Sequence, residues 1–148
     1  MLCNNWLKIA IIDEIEHILW GIFVNLPFIF MNLYLLIVAI IFSFLIDIDH
    51  MLWAGSLSVK KMLNLGGRPA FHSLPIIAIF TAIVYLVTRS PEITIVSAYS
   101  MFSHLIWDLA TGGVRLFYPL AKKFAISKRV SFVLFLVLFL SALIITHT

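Results

Sequence analysis

Charged residues are scarce in this sequence. Only 11% of its 148 residues are charged, whereas 63% are hydrophobic. A soluble domain carries about 25% charged residues and under about 50% apolar ones, so the polar surface here is too small to coat a water-soluble globule. The mean hydropathy of +1.11 instead favours a bilayer as the solvent. At this length we expect one membrane domain, residues 1–148.

Cysteine is almost absent as well. The single cysteine, Cys3, excludes an internal disulfide and a zinc site built from several thiolates. The net charge of +3 is modest, and the basic residues lie between apolar runs rather than in one patch. This distribution argues for membrane orientation and against nucleic acid as a partner. A cleavable signal peptide is not expected, because Asp13, Glu14 and Glu16 interrupt its apolar core.

Apolar runs alternate with polar breaks and predict an all-α, polytopic integral membrane protein. The predicted spans are residues 8–26, 28–46, 73–88, 93–110 and 130–146. The break between the first two is expected at residues 25–27, since Pro27 lacks a backbone donor and disfavours helix before it. If Pro27 only kinks the helix, these runs merge and four spans result. Five is the preferred count.

The basic residues orient the predicted spans in a cytoplasmic-type membrane. With the N-terminus in the cytoplasm, nine of the ten lysines and arginines lie on the inner side, and Arg89 alone lies outside. Cytoplasmic loops carry such an excess of positive charge. We therefore expect a cytoplasmic N-terminus.

This topology brings ionisable residues from four spans to the cytoplasmic face. In chain order they are His17, Asp47, Asp49, His50, His72, His104 and Asp108. A merged first helix would place His17 and Asp47 roughly 45 Å apart along its axis. The predicted hairpin and the predicted site therefore depend on each other.

The spacing of these residues suits metal ligation. His104 and Asp108 are four apart and share one helical face, while residues 47–50 offer several ligands within one turn. Charge beside hydrocarbon is costly unless it is paired or binds a metal. For residues 47–50 ligation is the preferred interpretation, and acids at the membrane surface are the alternative. For His104 and Asp108, ligation and a hydrogen-bonded pair between helices are equal alternatives.

Mixed histidine and aspartate ligands without thiolates favour Zn²⁺, with Mn²⁺ and Fe²⁺ as alternatives, and one or two ions. Such a site lowers the pKa of bound water toward ~7 and can hydrolyse esters. Asp49, Arg68 and His72 are the candidate catalytic residues. Arg68 would hold an anionic group, although a role in membrane topology is an equal alternative.

Four stretches carry a family resemblance: residues 16–21, 45–50, 68–74 and 102–111. In order and spacing, residues 16–120 resemble the YdjM-type family of LexA-regulated, membrane-bound metal-dependent hydrolases. The resemblance implies a metal site and a hydrolase activity. The chain departs from the family pattern at Gly67, where the family has a histidine, at Ile46 and Phe71, and at Gly112 and Gly113.

These observations lead to one preferred function and two alternatives. The preferred function is hydrolysis of a phosphoester or ester bond in a lipid or lipid-linked substrate at the cytoplasmic face. One alternative is a metal or proton transporter, although transport sites usually lie near the bilayer midplane. The other is a structural relative whose site has degenerated, since the family histidine at position 67 is missing.

Overall fold

The computed structural model describes residues 3–55, 61, 70–120 and 122–148, and these residues form a helical bundle. Its helices are α1 (Cys3–Met31), α2 (Leu35–Phe44), α3 (Ile48–Ala54), α4 (Leu74–Thr88), α5 (Pro91–Thr111) and α6 (Lys128–His147). A 3-10 turn, Leu45–Asp47, joins α2 to α3. The all-α prediction is confirmed.

Helix α5 lies at the centre of the bundle and contacts α1, α2, α4 and α6. It begins with Pro91 after the N-cap Ser90, whose hydroxyl accepts a hydrogen bond from the Ile93 amide. The buried face of α5 includes Ser97, Ser100 and Ser103. Small side chains allow helices to approach closely, which is how helices associate inside a membrane.

Within the described residues, three helical segments are long and apolar enough to cross a membrane: Leu35–Ala54, Pro91–Thr111 and Lys128–His147. Helix α4 is a shorter apolar helix. Large apolar side chains are exposed on the outside of the bundle, among them Phe30, Val87 and Ile144. Such a surface suits contact with lipid rather than water. The count of five spans stays a prediction.

The predicted break at residues 25–27 is wrong in position. Helix α1 continues through Pro27 to Met31, and the turn to α2 lies at residues 32–34. Asn25, fully buried, donates from Nδ2 to the Gly21 carbonyl (2.9 Å) and to Ser100 Oγ (3.0 Å) of α5. These contacts hold α1 helical around the proline, as neighbouring helices do in membrane bundles. The two helices are nevertheless separate, as the predicted hairpin requires.

The predicted end of the second helix is also wrong. The helical segment does not stop at Ile46 but continues through the 3-10 turn to Ala54. Ile46 is fully buried in one apolar cluster with Met101 and Leu105 of α5, which keeps the chain against α5 as it passes Asp47. The acidic residues therefore lie inside a helical segment rather than at its end.

The segment after α5 folds back over the ends of α4 and α5. Val114 and Phe124 exchange backbone hydrogen bonds of 2.9 and 2.8 Å, and the Leu74 amide at the start of α4 donates to the Leu116 carbonyl. Gly113 has a φ of +72°, and a Cβ there would lie 2.8 Å from the Phe124 carbonyl oxygen. Glycine is therefore required for this return.

Candidate metal centre

Imidazole and carboxyl side chains from four parts of the chain meet at one end of the bundle. They come from α1, from the 3-10 turn and α3, from the turn at residues 70–73, and from the C-terminal half of α5. His17, His72, His104 and Asp108 are all fully buried. The structure thus brings together residues that the sequence separates by up to 91 positions, as His17 and Asp108 show.

The α5 pair shares one helical face, as its spacing predicts. His104 Nε2 lies 3.4 Å from Asp108 Oδ2. On its other side, His104 Nδ1 donates to the Ser43 backbone carbonyl of α2 at 2.7 Å. A histidine whose Nδ1–H is held by a carbonyl presents Nε2 as the free ligand nitrogen, which is the usual arrangement at metal sites.

His17 of α1 completes a first group with this pair. Its Nε2 lies 3.3 Å from Asp108 Oδ1, and its ring stacks on that of His104 with centroids 3.6 Å apart. The possible ligand atoms of His17, His104 and Asp108 all lie within 4.8 Å of one another. We call these three residues group A.

A second group, group B, consists of Asp47, His50 and His72. Asp47 Oδ1 lies 3.0 Å from His50 Nδ1 and 3.1 Å from His72 Nε2. Asp47 ends the 3-10 turn and His50 lies in the first turn of α3. Side chains three apart along a helix project to the same side, so Asp47 lies beside His50.

The two groups are in direct contact. His72 Nε2 lies 3.1 Å from Asp108 Oδ2 and 3.3 Å from His104 Nε2. His104 Nε2 in turn lies 3.5 Å from Asp47 Oδ2. One continuous cluster therefore offers ligands for one ion or for two neighbouring ions.

His72 lies in the turn before α4, and the neighbouring carboxylates change the pKa of its imidazole. Burial disfavours the charged imidazole, but hydrogen bonds to Asp47 and Asp49 and the charge of Asp108 outweigh burial and raise the pKa of His72 to about 9. In the metal-free protein the ring therefore holds a proton at neutral pH. Any metal ion that uses this nitrogen must displace that proton.

Asp49 lies at the edge of the cluster. Its Oδ2 accepts a 2.7 Å hydrogen bond from the Phe71 amide and lies 3.5 Å from His72 Nδ1. The carboxylate thus fixes the turn that presents His72, and its predicted roles as ligand and catalytic residue stay predictions. Arg68 and Gly67 lie outside the described residues, so the predicted role of Arg68 also stays a prediction.

The polar atoms at this end of the bundle fit a divalent cation. His17 Nδ1, Asp47 Oδ2 and Asp49 Oδ1 are buried without a hydrogen-bond partner in the part of the chain that the structure describes. Buried polar atoms are normally satisfied, and those that are not need an explanation. Imidazole nitrogens and carboxylate oxygens are donors that Zn²⁺, Mn²⁺ and Fe²⁺ accept.

Sequence reasoning missed two contributors to this centre. Glu14 of α1 lies close to the carboxyl of Asp47, yet in the sequence it was used only as an argument against a signal peptide. Glu14 lies three residues before His17, and this spacing could have indicated that both side chains lie on the same face of α1. The Ser43 carbonyl, which orients His104, left no signal because any residue supplies a carbonyl.

The comparisons with known proteins agree with this architecture. The sequence model of the family described as YdjM inner membrane protein matches residues 12–148. Neither the curated proteins nor the solved structures gave a match. The family match spans all seven predicted metal ligands, from His17 to Asp108. LexA regulation and metal dependence stay predictions. The chain belongs to the YdjM family of inner membrane proteins.

Proposed function

We propose that this protein is a membrane-embedded, metal-dependent hydrolase. Its substrate is a phosphoester or ester bond of a lipid or lipid-linked molecule at the cytoplasmic face of the membrane. One observation carries the proposal: groups A and B form a single buried cluster of imidazoles and carboxylates at one end of an apolar bundle. Intramembrane ionisable residues are rare and usually functional.

Some residues of the centre would bind an ion, and others orient the ligand side chains. Groups A and B would hold Zn²⁺, or alternatively Mn²⁺ or Fe²⁺, as one or two ions. A bound divalent ion supplies a Lewis acid and makes water acidic enough to attack an ester near neutral pH. The Ser43 carbonyl fixes the tautomer of His104, and Asp49 fixes the turn that carries His72.

A groove on the side of the bundle supports a lipid substrate. It has a volume of about 370 Å³ and is lined by Glu16, Leu19, Trp20, Phe23 and Trp107. Two of these residues are sequence neighbours of group A, since Glu16 precedes His17 and Trp107 precedes Asp108. An apolar, aromatic groove at the same level of α1 and α5 as group A suits the hydrocarbon part of a lipid.

Basic residues support both an anionic substrate and the cytoplasmic orientation. Arg115, Lys122 and Lys123 follow the end of α5 that carries the centre, and Lys128 and Arg129 begin α6. Positive charge of this density is typical of cytoplasmic loops. It also attracts phosphate groups at the depth of the lipid headgroups.

The test combines metal analysis with an assay. The full chain is purified in detergent, its metals are measured, and phospholipids and lipid phosphates are screened with and without chelator. We expect stoichiometric metal and a chelator-sensitive release of product. His104→Ala should reduce metal affinity by more than the roughly 10–100-fold that loss of an outer partner costs. Protein without stoichiometric metal, or hydrolysis that chelator leaves unchanged, would refute the proposal.

The matched control is His147→Ala. This histidine lies at the end of α6 and is exposed. In the predicted topology it is the one histidine on the opposite side of the membrane. Its removal should leave metal content and hydrolysis unchanged. Equal losses in both variants would show that the assay reports a general effect of histidine removal.

The complete burial of His17, His72, His104 and Asp108 favours a second candidate, a metal or proton transporter. Such a protein encloses its ion from both sides of the membrane in the occluded state, between openings to either side. Metal-dependent flux into liposomes, without hydrolysis of any lipid, would support transport. The third hypothesis, a degenerate structural relative, predicts neither flux nor metal binding, and folding that does not change when metal is removed.

A further inference from the structure

Glu14 lies on the same face of α1 as His17, one turn earlier. The two residues are three apart, so their side chains project to the same side of the helix. The Glu14 carboxyl is partly buried and lies close to the carboxyl of Asp47, a member of group B. Its Oε2 atom is buried with no hydrogen-bond partner in the described chain. Helix α1 therefore contributes His17 to group A and places Glu14 beside group B.

Two facing carboxyl groups repel each other unless a proton or a cation lies between them. The carboxyl groups of Asp13, Glu14, Asp47, Asp49 and Asp108 gather at the cluster, together with the imidazoles of His17, His50, His72 and His104. Carboxylates this close to one another repel, which raises the affinity for cations. A pair of divalent cations would remove most of this charge.

The spacing within the cluster points the same way. Glu14 and His17 form a carboxylate-x-x-histidine pair on α1, and Asp47 and His50 form a second such pair where the 3-10 turn meets α3. In helical bundles, pairs with this spacing on two helices, together with further carboxylates, hold two neighbouring metal ions. His17 provides a second observation in favour of a metal. Its imidazole is fully buried, and its Nδ1 has no hydrogen-bond partner among the described residues.

We propose that the centre is dinuclear and that Glu14 is a metal ligand in it. Group A holds one divalent ion and group B holds the other, with Glu14 joining Asp47 as a carboxylate ligand to the second. The proposal rests on the metal centre proposed above but not on hydrolysis. In this proposal the Glu14 carboxylate links α1 to group B through the metal ion that both bind.

The test uses Mn²⁺ as the probe. The full chain in detergent is loaded with Mn²⁺, the bound metal is counted by elemental analysis, and electron paramagnetic resonance detects coupling between ions. Paired ions in such sites lie about 3.5–4 Å apart, so wild-type protein should bind two ions with a coupled spectrum. Glu14→Gln keeps the shape of the side chain but removes its charge. This variant should bind its second ion about 10–100-fold more weakly and show an uncoupled spectrum.

Glu16→Gln is the matched control. Glu16 belongs to the same helix, but its Oε2 accepts a 3.1 Å hydrogen bond from Trp107 Nε1 instead of contacting Asp47. This variant should keep both ions and the coupled spectrum. Circular dichroism of the metal-free variants checks that each one folds. If Glu14→Gln is unfolded, Glu14→Asp replaces it, because a carboxylate shortened by one methylene should weaken the coupling while preserving the charge.

The outcomes separate this inference from the proposed function. A single ion in wild-type protein, or two coupled ions in Glu14→Gln with wild-type affinity, would overturn the role of Glu14. Two coupled ions in wild-type protein that depend on Glu14, without hydrolysis of any lipid tested, would support this inference and count against the hydrolase. Protein that binds no Mn²⁺ or Zn²⁺ would overturn both.

Discussion

The close contact between α1 and α2 at Gly21 allows a sharp test of how the bundle supports the centre. A Cβ atom at Gly21 would overlap Ser43 Oγ and would lie 3.1 Å from Ser43 Cβ. Rotation of the hydroxyl can remove the first overlap, but the second requires the backbones to separate. An ordinary contact begins at 3.4 Å, so Gly21→Ala should move α1 and α2 apart by at least about 0.3 Å.

The expected cost combines two opposing effects. Overpacking costs about 1–3 kcal/mol, while alanine is favoured over glycine within a helix by about 1 kcal/mol. Gly21→Ala should therefore destabilise the protein by about 0–2 kcal/mol. The larger effect should be on the centre, since the Ser43 carbonyl that moves is the one that holds His104 Nδ1 at 2.7 Å. Weakening such a partner should reduce Zn²⁺ affinity by up to about 10-fold.

The assay is a titration of the purified, metal-free protein with Zn²⁺ together with its thermal unfolding. The double variant Gly21→Ala/Ser43→Gly is the control, because it removes both side-chain atoms that the new methyl group would meet. It should recover most of the lost affinity. Wild-type affinity in Gly21→Ala, or a loss that the second substitution does not reverse, would refute the proposed path from Gly21 through Ser43 to His104.

Three further predictions concern the centre and the proline-containing helix. Zn²⁺ affinity should rise by about tenfold per pH unit between pH 7 and 9, because the pKa of about 9 keeps His72 protonated through that range and the ion must displace this proton. Calorimetry in buffers of different ionisation enthalpy should detect proton release at pH 7, and an affinity independent of pH would contradict this prediction. The folding stability of the metal-free protein should change in the opposite direction and fall as the pH rises. The stability contributed by the charged His72 ring is complete below its ordinary pKa of 6.5 and is lost as the pH rises through 9. Asp49→Asn keeps an acceptor for the Phe71 amide but loses the negative charge near His72. Zn²⁺ affinity should therefore fall about 10-fold or more while thermal stability changes little. Equal stability losses in Asp49→Asn and Asp49→Ala would contradict the separate roles of the hydrogen bond and the charge. Asn25→Leu removes one hydrogen bond within α1 and two contacts from α1 to α5. It should destabilise the bundle by about 1–3 kcal/mol, measured by unfolding in detergent, whereas an unchanged midpoint would show that Pro27 needs no such support.

Much of the fold was predictable because its signals are local. The apolar runs mark helical segments of a membrane protein, and the structure has α4, α5 and α6 within two residues of the predicted spans. The first two helices were predicted less well. Pro27 is a strong local signal for a break, but the buried hydrogen bonds of Asn25 to α5 keep α1 continuous. A contact between residues 75 positions apart has no trace in a local pattern.

The candidate site shows the same division. The spacing of His104 and Asp108 places both on one helical face whatever surrounds them, and the meeting of four parts of the chain followed from the predicted hairpin. The sequence did not indicate that Asp47 lies inside a helical segment, nor that Glu14 reaches it. Those facts depend on how far each helix is rotated about its axis, which packing determines.

The sequence by itself therefore determined the solvent, the helical class and the set of ionisable residues available for a centre. Composition and periodicity are sufficient for these, because hydrocarbon requires internally bonded helices and tolerates few charges. Only the tertiary structure decided which side chains meet. It joined groups A and B through His72, gave His104 a fixed tautomer through the Ser43 carbonyl, and placed Glu14 against Asp47. Such contacts arise from the packing of whole helices, and no single stretch of sequence specifies them.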